Sequence, residues 1–267
     1  MIGFLKRILG GGGDAPAGPR PGGKTFSAPL EVDRATYAVG DIHGRFDLMT
    51  VLLDRIRADA AARGFDAPRL VLLGDYVDRG EQSAQVLRRV RALLDGDWPG
   101  EVRALRGNHE EMLLDFVDAP ETAGQRFVRN GGLQTLLSFG VGGALPTSEP
   151  AELVEPAARL AEAAADVLPM VRALPAWAVF GNLLCVHAGA DPELPPDLQS
   201  ERTMTWGTPR FFQMPRTDGL WCVYGHYVVD EAGAAQGRVA VDTGAYHSGV
   251  LSAARFADGE VGFLTSG

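Results

Sequence analysis

Five short boxes punctuate the chain in one order: GDIHG at Gly40–Gly44, GDYVDRG at Gly74–Gly80, GNHE at Gly107–Glu110, HAG at His187–Gly189 and YGH at Tyr224–His226. Each follows an apolar run that reads as a strand. Four of the five histidines lie in these boxes. Together they supply Asp41, His43, Asp75, Asn108, His187 and His226. This set of carboxylate, amide and imidazole groups is large enough for two divalent metal ions. Any one box alone reads better as a turn with a solvated histidine. Five in series read as a binuclear metal site.

Working outward, Thr36–Val39 is expected as a strand running into the first box. Phe46–Ala62, apolar at Leu48, Val51, Leu52 and Ile56, fits an amphipathic helix. Leu70–Leu73 reads as a buried strand, Ser83–Leu94 as a helix, Val102–Leu105 as a third strand and Glu110–Val117 as a helix. This strand–box–helix repetition predicts a layered α/β fold with a partly parallel sheet. Ligands then bind beyond the carboxyl ends of the strands, where the first three boxes fall. Trp177–Phe180 and Leu183–Val186 read as a hairpin turning at Gly181-Asn182. Cys222–Tyr224, Arg238–Val241 and Val261–Leu264 read as later strands.

Glu149–Val167, rich in Ala, Glu and Pro, is expected to form an exposed helix. Residues 141–170 would then be a cap or insertion between the first three boxes and the last two. Residues 1–33 read as a flexible leader built around the Gly/Pro-rich stretch Gly10–Lys24, with folding starting near Ala35. Residues 34–267 read as a single catalytic domain.

Hydrophobic residues make up 46% of the 267, enough for a substantial core. The net charge of -9 argues against a general nucleic-acid binder. It leaves room for a small phosphorylated substrate, because a metal site is locally positive even on an acidic protein. Cys185 and Cys222 form no CxxC pattern. They read as small buried apolar residues in a reducing compartment, so a cytoplasmic location is expected. No apolar run is long enough to cross a membrane. The start, MIGFLKRILG, has no signal-cleavage pattern after it and reads as a frayed terminus.

Asp41 and His43 are two residues apart, so on an extended backbone both would share a face and reach one ion. Asp75 can bridge two ions through its two oxygens. Asn108, His187 and His226 complete the second. Mixed oxygen and nitrogen donors suit Mn²⁺, Fe or Zn²⁺ rather than Ca²⁺. Two such ions, about 3.5–4 Å apart, hold a water or hydroxide between them and clamp the attacking and leaving oxygens of a phosphoryl transfer. The cluster stays cationic after Asp41, Asp75 and a hydroxide are counted, which suits a phosphomonoester dianion. His109 is placed as general acid, with Asp78 orienting its imidazole. Arg79 is placed to fork onto phosphate oxygens. Arg106 fits a phosphate contact or a structural ion pair equally well. His247 reads as a surface histidine, and Asp242 as a turn or supporting residue rather than a ligand.

The series GDIHG, GDYVDRG, RGNHE, HAG and YGH resembles the phosphoprotein phosphatase family within the calcineurin-like metallophosphoesterases, and among them the compact bacterial and phage serine/threonine phosphatases. The resemblance covers about Tyr37 to Phe263. It implies a four-layer α/β/β/α sandwich with two metals, Mn²⁺ in bacterial members, at its edge. It implies Asp41, His43 and Asp75 on the first metal, and Asp75, Asn108, His187 and His226 on the second. His109 would be the acid paired with Asp78, and Arg79 a phosphate ligand.

One departure stands out. Thr208 occupies the place, shortly after Trp206, where related bacterial proteins tend to have a second phosphate-binding arginine. Arg210 or Arg202 is the candidate substitute. Tyr227, after the last box, stands where a small hydroxyl residue is common and would narrow the pocket. The expected function is hydrolysis of phosphoserine or phosphothreonine in a protein or peptide. The alternatives are a hydrolase of dinucleoside polyphosphates or other nucleotides on the same site, and a non-catalytic metal-binding scaffold.

Overall fold

The computed structural model describes residues 25–267. The expected leader therefore lies, up to residue 24, outside the described residues. Two five-stranded sheets form the centre. The first contains β1 (Thr36–Val39), β2 (Arg69–Leu72), β3 (Val102–Ala104), β9 (Ser252–Ala257) and β10 (Glu260–Thr265), in the order β10-β9-β1-β2-β3. The second contains β4 (Trp177–Phe180), β5 (Leu183–Val186), β6 (Trp221–Tyr224), β7 (Gly233–Ala235) and β8 (Arg238–Ala240), in the order β4-β5-β6-β8-β7. Strands β1, β2 and β3 run parallel, as do β5, β6 and β8, while β9, β10, β4 and β7 join by antiparallel pairing.

Side-chain alternation along the strands explains the layering. Ala38, Val71, Cys185, Val223 and Val239 face inward and meet between the sheets, together with Phe180, Leu183 and Phe256. Their neighbours Tyr37, Val39, Leu70 and Leu72 face the other way, onto α1 (Phe46–Ala62), α2 (Ser83–Leu94) and α3 (Asn108–Asp118). On the far side, Leu184, Val186, Cys222 and Tyr224 pack against Met204 of α8 (Glu201–Trp206) and Phe211 of α9 (Arg210–Gln213). The result is the expected helix–sheet–sheet–helix order. Both cysteines are free and buried, on opposite faces of one sheet. Burial pushes both thiols up, Cys222 to about 12, so neither is a ready nucleophile.

Three expectations change. The buried face of α1 is Met49, Leu52, Leu53, Ile56 and Ala60, and Val51 is exposed. The helix is rotated by about one residue from the face chosen on Leu48 and Val51. The stretch expected as an exposed helix is a helical turn, Pro150–Leu153, followed by α6 (Val154–Ala163). Leu153, Ala157 and Leu160 are buried in the main core, so its alanines are packing residues as well as helix formers. Finally, the chain is anchored earlier than Ala35. The Asn182 amide accepts from Glu31 N–H at 2.7 Å and donates to the Pro29 carbonyl at 2.8 Å, which staples the entering segment to the β4–β5 turn. Leu30 is buried against the inter-sheet core. Asp33 forks onto the buried Arg69, whose guanidinium also holds Glu101 and lies 3.8 Å from the Phe180 ring centre.

Between α3 and α6 the chain makes α4 (Pro120–Phe127), a tight corner at Val128–Gly132 and α5 (Leu133–Ser138). Helix α7 (Leu168–Ala173) leads into β4, and α10 (Ala245–Ser248) into β9. Among the described residues, no helix is long and apolar enough to cross a membrane.

One polar knot ties α1 to the first sheet. Buried Tyr37 donates to Asp59 Oδ2 at 2.6 Å, Arg255 donates to both Asp59 oxygens at 3.1 Å and Arg63 donates to Oδ1 at 3.0 Å. Partial burial opposes the Asp59 charge, but these donors win and hold its carboxyl below the usual range. A carboxyl with a depressed folded-state pKa stabilises above its unfolded pKa of about 4, and that stability disappears as pH falls through the folded value. Asp59→Asn should therefore cost about 1–2 kcal/mol at neutral pH in chemical denaturation. The difference from the parent should close below about pH 4. A pH-independent gap would show that the charge is not the source.

Candidate metal and phosphate site

Nine candidate side chains lie just beyond the carboxyl end of a parallel-running strand. Asp41 and His43 follow β1, Asp75, Asp78 and Arg79 follow β2, and Asn108 and His109 follow β3. From the second sheet, His187 follows β5 and His226 follows β6. Backbone bonds draw these loops together. The Asp75 carbonyl accepts from Ile42 and His43 N–H at 3.1 and 2.8 Å, and the His187 carbonyl accepts from Gly225 N–H at 2.8 Å.

The loops are strained where they carry chemistry. His43, Asp75, Asp78, Arg79 and His226 have φ of 44°, 51°, 72°, 68° and 62°. Left-handed backbone at a non-glycine residue costs about 1–3 kcal/mol and persists only where the surroundings enforce it. This also corrects the reading of Asp41 and His43. They do not share a face of an extended strand, because the chain turns at His43. Two glycines are required by close approach: a Cβ at Gly107 would collide with Asp75 Oδ1, and one at Gly225 with Asp41 Oδ1.

Buried Asp75 is the centre. Its Oδ2 lies 3.5 Å from His43 Nε2 and 3.9 Å from His109 Nε2, and its Oδ1 lies 3.4 Å from His187 Nε2. Two groups of donor atoms result: His43, Asp75 and His109, and Asp75, His187 and His226. Asn108 Oδ1 joins the second group, 2.9 Å from His187 Nε2 and 3.0 Å from His226 Nδ1. Asp41 belongs to neither group. Its carboxylate accepts from His226 N–H at 3.0 and 3.1 Å and reaches His187 Nδ1 only at 4.0 Å.

The chemistry of this donor set fits cations. His187 Nδ1 donates to the Leu73 carbonyl at 3.0 Å, and His43 Nδ1 donates to the Val77 carbonyl at 2.8 Å. A neutral imidazole with Nδ1–H so engaged leaves a lone pair on Nε2. In both rings that lone pair faces a carboxylate oxygen, an acceptor facing an acceptor. A proton does not fill the gap easily, because burial pushes His43 and His187 down, and His226 down to about 4. Carboxylates crowd here too. Burial, then the charges of Asp242 and Asp75, lift Asp41 well above the usual range, and burial is also the main reason Asp242 rises to about 6. Burial works against the charge of Asp75 as well, but His187, His109, His43 and His226 hold its carboxyl below the usual range. Divalent cations among these atoms would satisfy the lone pairs and compensate the carboxylates.

A second assembly lies beside the first. His109 Nδ1 donates to Asp78 Oδ2 at 2.6 Å, and both residues are buried. Burial opposes protonation of His109, yet Asp75 and Asp78 together raise it. Arg79 Nη2 lies 3.2 Å from His109 Nε2 and its guanidinium covers the Tyr246 ring at 4.6 Å. An anionic group between Arg79 and His109 would accept from both.

Other expected residues are placed differently. Arg210 is held by Asp191 and Glu193, so two nearby carboxylates capture the guanidinium offered as a second phosphate contact. Arg202 lies over Trp206 at 5.5 Å. Arg106 makes ion pairs with Glu201 and Glu111. Tyr227 packs edge-on to the His226 ring at 4.8 Å and covers Gly207. His247 is exposed, and Asp242 accepts from Gly244 N–H at 2.8 Å in a turn.

Sequence reasoning missed Glu110. It is fully buried and accepts from the N–H groups of Asp75, Tyr76 and Gly107 at 2.8, 2.8 and 2.9 Å, which fixes the Asp75 loop from α3. Burial and the Asp75 charge push its carboxyl up to about 8. The signal was present, since GNHE puts Glu three residues after a helix-starting Gly, where a carboxylate bonds back to free N–H groups.

Comparison with known proteins places the chain in a family. The calcineurin-like phosphoesterase model matches residues 36–238. The asymmetrical bis(5'-nucleosyl)-tetraphosphatase of Halalkalibacterium halodurans is 27% identical over 236 residues, covering 82% of this chain and 88% of the relative. The symmetrical bis(5'-nucleosyl)-tetraphosphatase of Sodalis glossinidius is 41% identical over 80 residues, 30% of this chain and only 25% of the relative. Serine/threonine-protein phosphatase 1 of Salmonella typhimurium is 40% identical over 99 residues, 37% of this chain and 39% of the relative. Among solved structures, one of a proposed diadenosine tetraphosphatase superposes with a TM-score of 0.58 at 22% identity, covering 90% of this chain and 98% of the other. The chain is a member of the calcineurin-like phosphoesterase family.

Proposed function

We propose that this protein is a metal-dependent phosphomonoesterase acting on phosphoserine or phosphothreonine in proteins or peptides. The observation that carries this reading is the buried His109–Asp78 pair at 2.6 Å. A serine or threonine alkoxide is a strongly basic leaving group and needs a proton as the P–O bond breaks. A nucleotide or phosphate leaving group is a far weaker base and needs one less. An oriented imidazole, whose protonated form the Asp78 carboxylate favours, is built for the harder case. The resemblance over 99 residues to a serine/threonine-protein phosphatase points the same way.

In this reading Asp41, His43 and Asp75 would hold one divalent ion, Asp41 joining from outside the donor group where its carboxylate now accepts from His226 N–H, and Asp75, Asn108, His187 and His226 would hold the other. Manganese is the first choice, with iron or zinc compatible with the same donors. When bound, the ions supply an activated water and positive charge for the phosphoryl oxygens. The chain's own residues do the rest. Arg79 orients the phosphate through its guanidinium fork. As the water oxygen bonds to phosphorus, the P–O bond to the leaving group breaks, and its electron pair takes the proton from His109 Nε2. Asp78 holds Nδ1–H throughout. Residues 34–267 act as one catalytic domain.

A second reading has its own support. The bis(5'-nucleosyl)-tetraphosphatase relative from Halalkalibacterium halodurans aligns over 82% of this chain, far more than the phosphatase does. A dinucleoside polyphosphate is therefore the alternative substrate. Turnover of a phosphothreonine peptide and of diadenosine tetraphosphate, each with Mn²⁺, separates the two. The peptide is expected to be hydrolysed at least tenfold faster, and cleavage of the nucleotide alone would reject the first reading.

His109→Asn should keep its metal and lose about 10²–10⁴-fold in kcat on phenyl phosphate, but much less on 4-nitrophenyl phosphate, whose leaving group needs little protonation. Equal losses on both would count against the acid role. Asp75→Asn should lower the content of both metal positions when dialysed protein is measured by atomic emission. Unchanged metal content would refute a bridging Asp75.

A further inference from the structure

Thr135 lies on α5, far along the chain from every box. Yet it is fully buried against Asp78, together with Ser83. Its Oγ1 donates to Asp78 Oδ1 at 2.7 Å and accepts from Asp78 N–H at 2.8 Å. Ser83 Oγ lies 3.1 Å from both Thr135 Oγ1 and Asp78 N. Proton counting fixes the roles. A hydroxyl has one proton and two lone pairs. The Thr135 proton goes to the carboxylate, where the bond is shortest and charge-assisted. Its lone pairs then take the Asp78 N–H and the Ser83 O–H. Nothing in this small network is left over.

The network closes around the one carboxylate that holds His109. Asp78 Oδ2 takes His109 Nδ1–H, and Oδ1 takes the Thr135 hydroxyl. With both oxygens and the N–H engaged, the carboxylate has one orientation despite its left-handed backbone, φ 72°. The adjacent corner secures Arg79 in the same way. Arg79 N–H donates to the Gly131 carbonyl at 3.2 Å, and Gly131, at φ 102°, lies directly under Arg79. One helical corner therefore braces both members of the second assembly.

The geometry points to Thr135 as a positioning residue for proton delivery: its hydroxyl fixes the Asp78 carboxylate so that the His109 ring presents Nε2 to the leaving-group oxygen. This rests on the phosphomonoesterase reading with His109 as the acid. It adds a residue whose effect scales with the basicity of the leaving group. Substrates with alkoxide leaving groups depend on it, and activated aryl esters do not.

The test compares Thr135→Val, Thr135→Ala and Thr135→Ser with the parent and His109→Asn, on phenyl phosphate and 4-nitrophenyl phosphate with Mn²⁺. Valine keeps the volume and removes the hydroxyl. Thr135→Val should lose about tenfold or more in kcat on phenyl phosphate and less than about threefold on 4-nitrophenyl phosphate. Thr135→Ser should recover to within about threefold on both. If Thr135→Val does not fold, Thr135→Ala, which also lacks the hydroxyl, is read by the same ratio. A second readout needs no turnover. The downfield His109 Nδ1–H proton resonance, identified by its loss in His109→Asn, should shift in Thr135→Val and return in Thr135→Ser. Equal losses on both esters, or an unmoved resonance, overturn the inference. If the parent hydrolyses neither ester, the phosphomonoesterase reading itself has failed. If His109→Asn shows the leaving-group dependence and the Thr135 variants do not, that reading stands and only the role of Thr135 falls.

Discussion

Asp75 is the constraint on which the rest of the structure depends. Its two oxygens face different histidines, at 3.5 Å for His43 and 3.4 Å for His187, one from each sheet. Its N–H is taken by Glu110 and its carbonyl by two N–H groups of the first box. Burying a carboxylate so completely costs several kcal/mol unless positive charge or donors surround it. The fold itself supplies one donor, His109 N–H at 3.0 Å, and leaves the Nε2 lone pairs of His43 and His187 facing the carboxylate, an arrangement that cations among them would compensate. Gly107 of the third box follows from the same demand, because a Cβ there would collide with this carboxylate.

Much of the architecture was legible because strand and box come as a unit. An apolar run of four residues followed by Gly-Asp is a local signal, and β1, α1 and α2 fall within a residue of where periodicity places them. What was not legible depends on distant partners. The sharing of one face by Asp41 and His43 assumed extended backbone, and the turn at His43 is imposed by bonds to Asp75, not by the tripeptide itself. The face of α1 is chosen by the sheet it lands on. Strand β9 reads SAARFA, with no β-branched residue to advertise it, and is a strand because it pairs with both β1 and β10. Asn182 looked like a turn residue and is one, but its amide also captures a segment some 150 residues earlier.

The candidate site divides in the same way. Donor types carry their own chemistry, so Asp41, His43, Asp75, Asn108, His187 and His226 could be singled out as candidates from the boxes alone; the fold places all six just beyond the carboxyl ends of its parallel strands, with Asp41 outside both donor groups. Arg210 is paired where sequence could not foresee it because charge is promiscuous: a guanidinium goes to the nearest carboxylates, here Asp191 and Glu193, and sequence distance says nothing about which those are. Glu110 and Thr135 were missed for the opposite reason. They act on groups in the boxes rather than on a ligand, and residues that hold other residues leave a faint trace in a single sequence.

Arg69 gives the sandwich an unexpected mechanical property. It sits at the entry end of β2, while Asp75 sits beyond the exit end. Its guanidinium, fixed by Asp33 and Glu101 on one side, presses on Phe180 of the opposite sheet. A cation held between two layers at one end adds a fixed contact to the apolar core that spaces them. Donors contributed by separate sheets keep a common focus without any covalent link between them, and part of what joins those sheets is a cation at the entry end of β2, away from that focus.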